Sequence, residues 1–135
     1  DTHLYVDNTV NIGEGHDSPL ANALSLGSGV ALETAVHDYG SVTSIAVDFS
    51  AEPLQKMTTA GTVYFNTSTN RRAGRSVTVL IENTAGAQRS YSFNSSWRFV
   101  GEKPSAIASG KAAILSLTCY GTAESDVVCS YGVED

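Results

Sequence analysis

The chain has 135 residues, 8 of them basic and 14 acidic, for a net charge of -6. That length fits one domain able to bury about two thirds of its unfolded surface, so a core requires neither metal nor disulfide. The acidic balance opposes phosphate backbones and anionic membranes, so neither nucleic acid nor a membrane is an expected partner. Only 16% of the residues are charged, while Ser, Thr, Gly and Ala are plentiful. This composition belongs to β-rich extracellular proteins rather than to helical cytosolic enzymes. No apolar run approaches the roughly 20 residues that span a bilayer, and no basic start leads into an apolar core.

Residues 1–29 read as an extended N-terminal arm. Gly13, Gly15, Pro19, Gly27 and Gly29 interrupt them, and the only apolar clusters are LeuTyrVal and LeuAlaAsnAlaLeuSerLeu. Such a segment buries too little apolar surface of its own to offset ordering entropy, so it is expected to lie across the body or a neighbouring subunit. LeuAlaAsnAlaLeuSerLeu suits one or two helical turns with Ser18 as cap, or a strand.

A β-sandwich domain is expected over residues 30–135. Strand structure should begin near Val30 to Thr34 and resume over Val42 to Phe49, where Thr43, Ile45, Val47 and Phe49 share the core parity. Pro53 ends that strand, Leu54 to Thr59 reads as a connection, and Gly61 to Asn66 supplies the next strand. From Ser76 onward the pattern is a β-meander. Val77, Val79 and Ile81 alternate with Thr78 and Leu80, AsnThrAlaGlyAla forms a hairpin loop, and Tyr91 and Phe93 alternate with Ser90, Ser92 and Asn94. Trp97 is expected to cap the core. About eight strands joined by Gly, Asn and Ser turns favour an all-β, antiparallel sandwich of jelly-roll or Greek-key type.

Catalytic and metal-binding patterns are sparse. His3, His16 and His37 stand in different elements without the close spacing of a zinc site, so no metal or cofactor is expected. His16, Asp17 and Ser18 are consecutive, and triad members must converge from separate elements, so they read as an exposed turn. GlyGluGly at 13–15 and GlySerGly at 27–29 lack the lysine and the strand-to-helix context of a phosphate loop. Asp48, Glu52, Glu82, Glu102, Glu124 and Asp126 fall at turns and strand ends, which assigns them to solvated surface rather than to a glycosidase pair. Asn66 and Asn94 head sequons of a length that Ser/Thr-rich chains produce by chance. The chain is not expected to be an enzyme.

The sharpest charged feature is AsnArgArgAlaGlyArg, with Arg71, Arg72 and Arg75 in one loop of an acidic protein. Guanidinium groups bind carboxylates bidentately, which makes the loop a candidate docking patch; a solvated hairpin tip is the plain alternative. Cys119 and Cys129 stand at a strand end and in the following strand, where antiparallel pairing brings them near one another. A disulfide there would contribute about 2 to 3 kcal/mol and suit an oxidising setting, and two buried thiols are the alternative. Tyr64, Trp97 and Tyr120, with Tyr91, Phe99 and Tyr131, form either an aromatic surface for stacking sugars or, by parity, core.

The C-terminal two thirds resembles a β-sandwich module of tailed-bacteriophage virion proteins, which occurs in auxiliary head proteins and tail fibres. The resemblance lies in the order of elements: strand Val77 to Glu82, hairpin Asn83 to Ala87, aromatic strand Tyr91 to Phe93, then Trp97 to Phe99. Gly101 to Pro104 with its Lys-Pro, strand Ile114 to Leu117, and Tyr131-Gly132 complete it. The cysteine pair departs from that pattern, and nothing in it matches residues 1–40. The resemblance implies a non-enzymatic virion structural protein on the particle surface, a capsid decoration or cement protein acting as a homo-oligomer, expected to be a trimer. Its partners would be its own copies and the major capsid protein or another virion protein. A tail-fibre module that binds host glycan, or a secreted filament subunit assembled by strand donation, are the alternatives.

Overall fold

The computed structural model of the chain describes residues 34–135, which form one compact unit. The expected arm at 1–29, the strand start at Val30, and His3 and His16 lie outside those residues. Eight strands follow in order: β1 (Val36–Ile45), β2 (Leu54–Phe65), β3 (Ser76–Glu82), β4 (Arg89–Ser92), β5 (Arg98–Phe99), β6 (Ala106–Ile107), β7 (Ala112–Cys119) and β8 (Val127–Val133). A 3-10 turn at Glu124–Asp126 precedes β8.

Period-two alternation sets the inner face as expected. Val77, Val79 and Ile81 on β3 are buried, as are Ala113, Leu115, Leu117 and Cys119 on β7 and Val127 and Cys129 on β8. Register aligns them into rows: Val79 stands opposite Leu115, Val77 opposite Leu117, and Leu117 opposite Cys129. Each fully buried side chain of this kind contributes about 1.5 to 3 kcal/mol relative to exposure.

The topology departs from the expected antiparallel sandwich. β1 and β3 both pair parallel with β2, β4 also pairs parallel with β2, and β5 pairs parallel with β8; β3 with β7, β7 with β8 and β4 with β6 are antiparallel. The result is one curled, mixed sheet ordered β5-β8-β7-β3-β2-β4-β6, with β1 along β2. The curl comes from β2. Residues 54–58 pair with β3, whereas Val63 and Tyr64 pair with β4. Leu54 to Thr59 is therefore the first half of a long strand rather than a connection, and Asn83 to Ala87 does not close a hairpin.

Two irregularities make this possible. Between Asp38 and Ser41 of β1 an extra residue bulges, with Gly40 at φ 73° and its N–H donated to Asp38 Oδ1 at 2.8 Å. Positive φ suits glycine, and the bulge disrupts an otherwise long edge strand against unwanted pairing. Where β2 bends, an added Cβ on Gly61 would meet Thr43 Cγ2 at 3.3 Å, so glycine lets the two strands approach. The link from β1 to β2 buries Val47 and Phe49 and is bridged to Thr69. Thr69 N–H donates to Val47 O (2.9 Å), and Phe49 N–H to Thr69 O (3.1 Å). Asn70 Nδ2 and the Ser50 donors hold the Asp48 carboxyl below the usual carboxylate range and fasten that link.

Candidate functional site

Glu124 organises the loop end of the domain. Its Oε1 accepts from Trp97 Nε1 at 2.6 Å and from Ser68 N–H at 2.9 Å, and its Oε2 accepts from Ser68 Oγ at 3.0 Å. Arg71 Nη1 pairs with Oε2 at 2.6 Å and also donates to the Ser68 carbonyl, while Arg71 Nε donates to Thr122 O at 2.9 Å. Charge-assisted bonds of this length in a mostly buried setting hold geometry strongly. The arginine loop is therefore divided. Arg71 is committed inside the domain, Arg75 Nη1 donates to Asn70 O at 2.8 Å, and Arg72 alone of the three is exposed. Glu124, read from sequence as solvated surface, is the acidic partner of the loop; only its position far along the chain hid this.

Cys119 and Cys129 are free, buried thiols. Register sets Val127 opposite Cys119 and Leu117 opposite Cys129, so the two lie diagonally on adjacent strands rather than face to face. Burial raises both thiols; Cys129, with Cys119 nearby, is pushed up to about 12. Thiolate is the reactive form, so both thiols are expected to be inert toward a disulfide reagent at pH 8 in the folded protein and to react fully on unfolding. Fast native-state labelling would overturn this assignment.

The aromatic residues separate into two populations. Phe65, Tyr91, Phe93, Trp97 and Phe99 pack on one another, with Phe65 stacked on Phe93 at 5.0 Å and Phe93 tilted on Phe99 at 4.8 Å. Trp97, at 5% exposure, belongs to this core, whereas Tyr64 and Tyr120, at 51% and 72%, are exposed on β2 and after β7. The three residues do not form one stacking platform.

Opposite the core, the outer face of the sheet is uncovered among the described residues. Register sets Val36 beside Leu54 on one row, and Leu80 beside Ile114 on the next, with Lys56 between Asp38 and Leu80. Val36, Leu54 and Ile114 are 52%, 46% and 48% exposed, and the shallow hollow they line with Leu80 is almost wholly apolar. A second hollow continues it past Ala112 to Gly132 and Val133. Sequence parity sets only Leu80 of these opposite Val77, Val79 and Ile81; the parallel pairing of β1, β2 and β3 and the antiparallel pairing of β3 with β7 assemble the rest.

Among the described residues no group of His, Cys, Asp or Glu side chains is placed to hold a metal ion, and no helix is long and apolar enough to cross a membrane. Comparison with known proteins returned no matching family model, no matching curated protein and no matching solved structure.

Proposed function

We propose that this chain is a non-enzymatic structural subunit of a virus particle, a decoration or cement protein that works by binding protein surfaces, its own copies included. The observation that carries the reading is the apolar face formed by Val36, Leu54, Leu80 and Ile114, uncovered among the described residues. Contiguous exposed apolar surface of this kind marks an interaction site in a soluble protein. The particle is inferred from the sequence resemblance to virion modules alone, in which Asn83 to Ala87 stood as a hairpin that β3 and β4 do not form, and the all-β fold, with short or bulged edges, suits a subunit held through a face rather than through strand addition.

Assembly then stabilises the particle by mass action. A subunit that binds only the closed shell, through a trimer or directly to the major capsid protein, adds interface at each junction and raises the barrier to rupture. Leu54→Asp with Ile114→Asp introduces charge on exposed positions and leaves the core intact. The double variant is expected to sediment as a monomer and to lose particle occupancy by more than tenfold. Unchanged sedimentation and occupancy would sink the reading.

A further inference from the structure

The outer face of the sheet extends beyond its apolar hollow. Register places Thr78, Ser116 and Ser130 in line with Val36 and Leu54, and sets Ser76, Thr118 and Val128 in the next row, which ends at Arg98. Alternation turns these residues away from buried Val77, Leu117 and Cys129. Across the rows of Leu54 and Leu80, from β2 to β8, only Lys56 is charged, and it pairs with Asp38 at 3.8 Å on the β1 side.

Charge collects instead at the two ends of the strands, with opposite signs. At one end Glu82 and Glu134 flank Ala112, and the local cation, Lys111, is taken up by the Asp135 carbonyl. At the other end stand Arg75, next to Ser76, and Arg98, exposed beside Val128. Glu124 is already paired with Arg71, Asp126 accepts from Ala123 N–H within its own turn, and Arg98 has no ion-pair partner among the described residues.

We propose that the occupant of this face is a second copy of the chain, packed sheet on sheet about a two-fold axis that runs over the row Gln55, Val79, Leu115 and Tyr131. This rests on the reading of the face as a protein-docking surface and names its partner. The charges select the axis. A two-fold along the strands would set Glu82 and Glu134 against the same residues of the partner, and like charges so placed oppose association. A two-fold across the strands reverses each strand on its counterpart, to within the roughly 30° that sheet twist imposes. Leu80 then lies on the partner's Thr78, Ile114 on the partner's Ser116, and Glu134 about one strand spacing, roughly 4.8 Å, from the partner's Arg98. Four strands of about seven residues give each copy a patch of roughly 450 Å², so the pair hides on the order of 1,000 Å² of corrugated surface, the lower bound for a specific contact. Such a self-matching face closes at two copies; a trimer would need a second, different contact.

Sedimentation equilibrium of the full 135-residue chain is expected to give a dimer that dissociates in the micromolar range. Arg98→Glu and Glu134→Arg, both at exposed positions, each bring like charges together at two symmetry-related places and are expected to weaken the dimer about tenfold. The variant carrying both changes restores opposite charges and is expected to return to within about threefold of the parent. A trimer, a monomer throughout the micromolar range, a dimer that survives Leu54→Asp with Ile114→Asp, or single effects that simply add in the charge-swapped variant would each overturn the pairing. A monomeric chain whose particle occupancy still falls with Leu54→Asp and Ile114→Asp removes the second copy and keeps the docking face. A dimer retained in that variant with unchanged occupancy removes both.

Discussion

Glu124→Ala is expected to lower the stability of the domain by about 3 to 5 kcal/mol, the range for removing one partner of a buried ion pair. The carboxylate accepts from Trp97 Nε1, Ser68 N–H and Ser68 Oγ and pairs with Arg71, whose side chain is 20% exposed against 13% for Glu124. Alanine strands all of these donors together, and a buried unsatisfied donor costs more than its bond contributed. Glu124→Gln keeps one acceptor oxygen but turns an amide toward groups that need acceptors, so about half of that loss is expected. Arg71→Ala leaves Glu124 three donors and is the mildest of the three. Trp97 is the only tryptophan in the chain, so its emission reports directly on the loss of the indole bond. Urea unfolding that places Glu124→Ala within about 1 kcal/mol of the parent, an ordinary surface effect, with unchanged Trp97 emission, would remove Glu124 from its organising role.

Inner and outer parity was legible wherever alternation was clean. Val77, Val79 and Ile81 are buried as their spacing requires, and so are Ile45, Val47 and Phe49, but Thr43, expected with them, is exposed while Val42 packs on the core, because the register of β1 on β2 shifts between Val42 and Ser44. What alternation does not encode is the partner of a strand. A meander reading pairs β3 with β4 because they are adjacent in sequence, yet β3 pairs with β7 and β4 with β2 and β6. Leu54 to Thr59 failed as a strand in the sequence because Gln55 and Thr59 break its inner hydrophobic pattern. Both are buried polar residues whose bonds supply the reason: Gln55 Nε2 donates to Asp48 O at 2.9 Å, and Thr59 Oγ donates to Asn83 Oδ1 at 3.1 Å.

The surfaces were less legible than the core for the same reason. The arginine loop stood out in the sequence as a cluster of like charges, but its main partner, Glu124, is 53 residues beyond Arg71, as the difference of their numbers gives. The apolar face needs four strands in register before it exists at all.

Asn83→Ala is expected to destabilise the domain by about 3 to 4 kcal/mol, because Asn83 is a buried hub and not the hairpin residue its AsnThrAlaGly context suggests. Its Nδ2 donates to Ala87 O, Ile107 O and Ala108 O, and its Oδ1 accepts from Thr59 Oγ and Ala85 N–H. One side chain thus ties β2, the β3–β4 link and β6 together, and alanine leaves a buried hydroxyl and carbonyls without partners. Asn83→Asp separates shape from hydrogen bonding. It preserves volume and the accepting oxygen but turns a second, charged oxygen toward three carbonyls, so at neutral pH it is expected to be at least as unstable as the alanine variant. The introduced carboxyl has a folded pKa raised above its unfolded value. Its deficit therefore shrinks as pH falls through that folded value and grows as pH rises above the unfolded one. The alanine variant has no such group, so the two variants should converge or cross in acid. In both, amide exchange should rise first at Ala85 and Ala87 and along Ile107 and Ala108; stability equal to the parent, or exchange unchanged there, would show that Asn83 is dispensable.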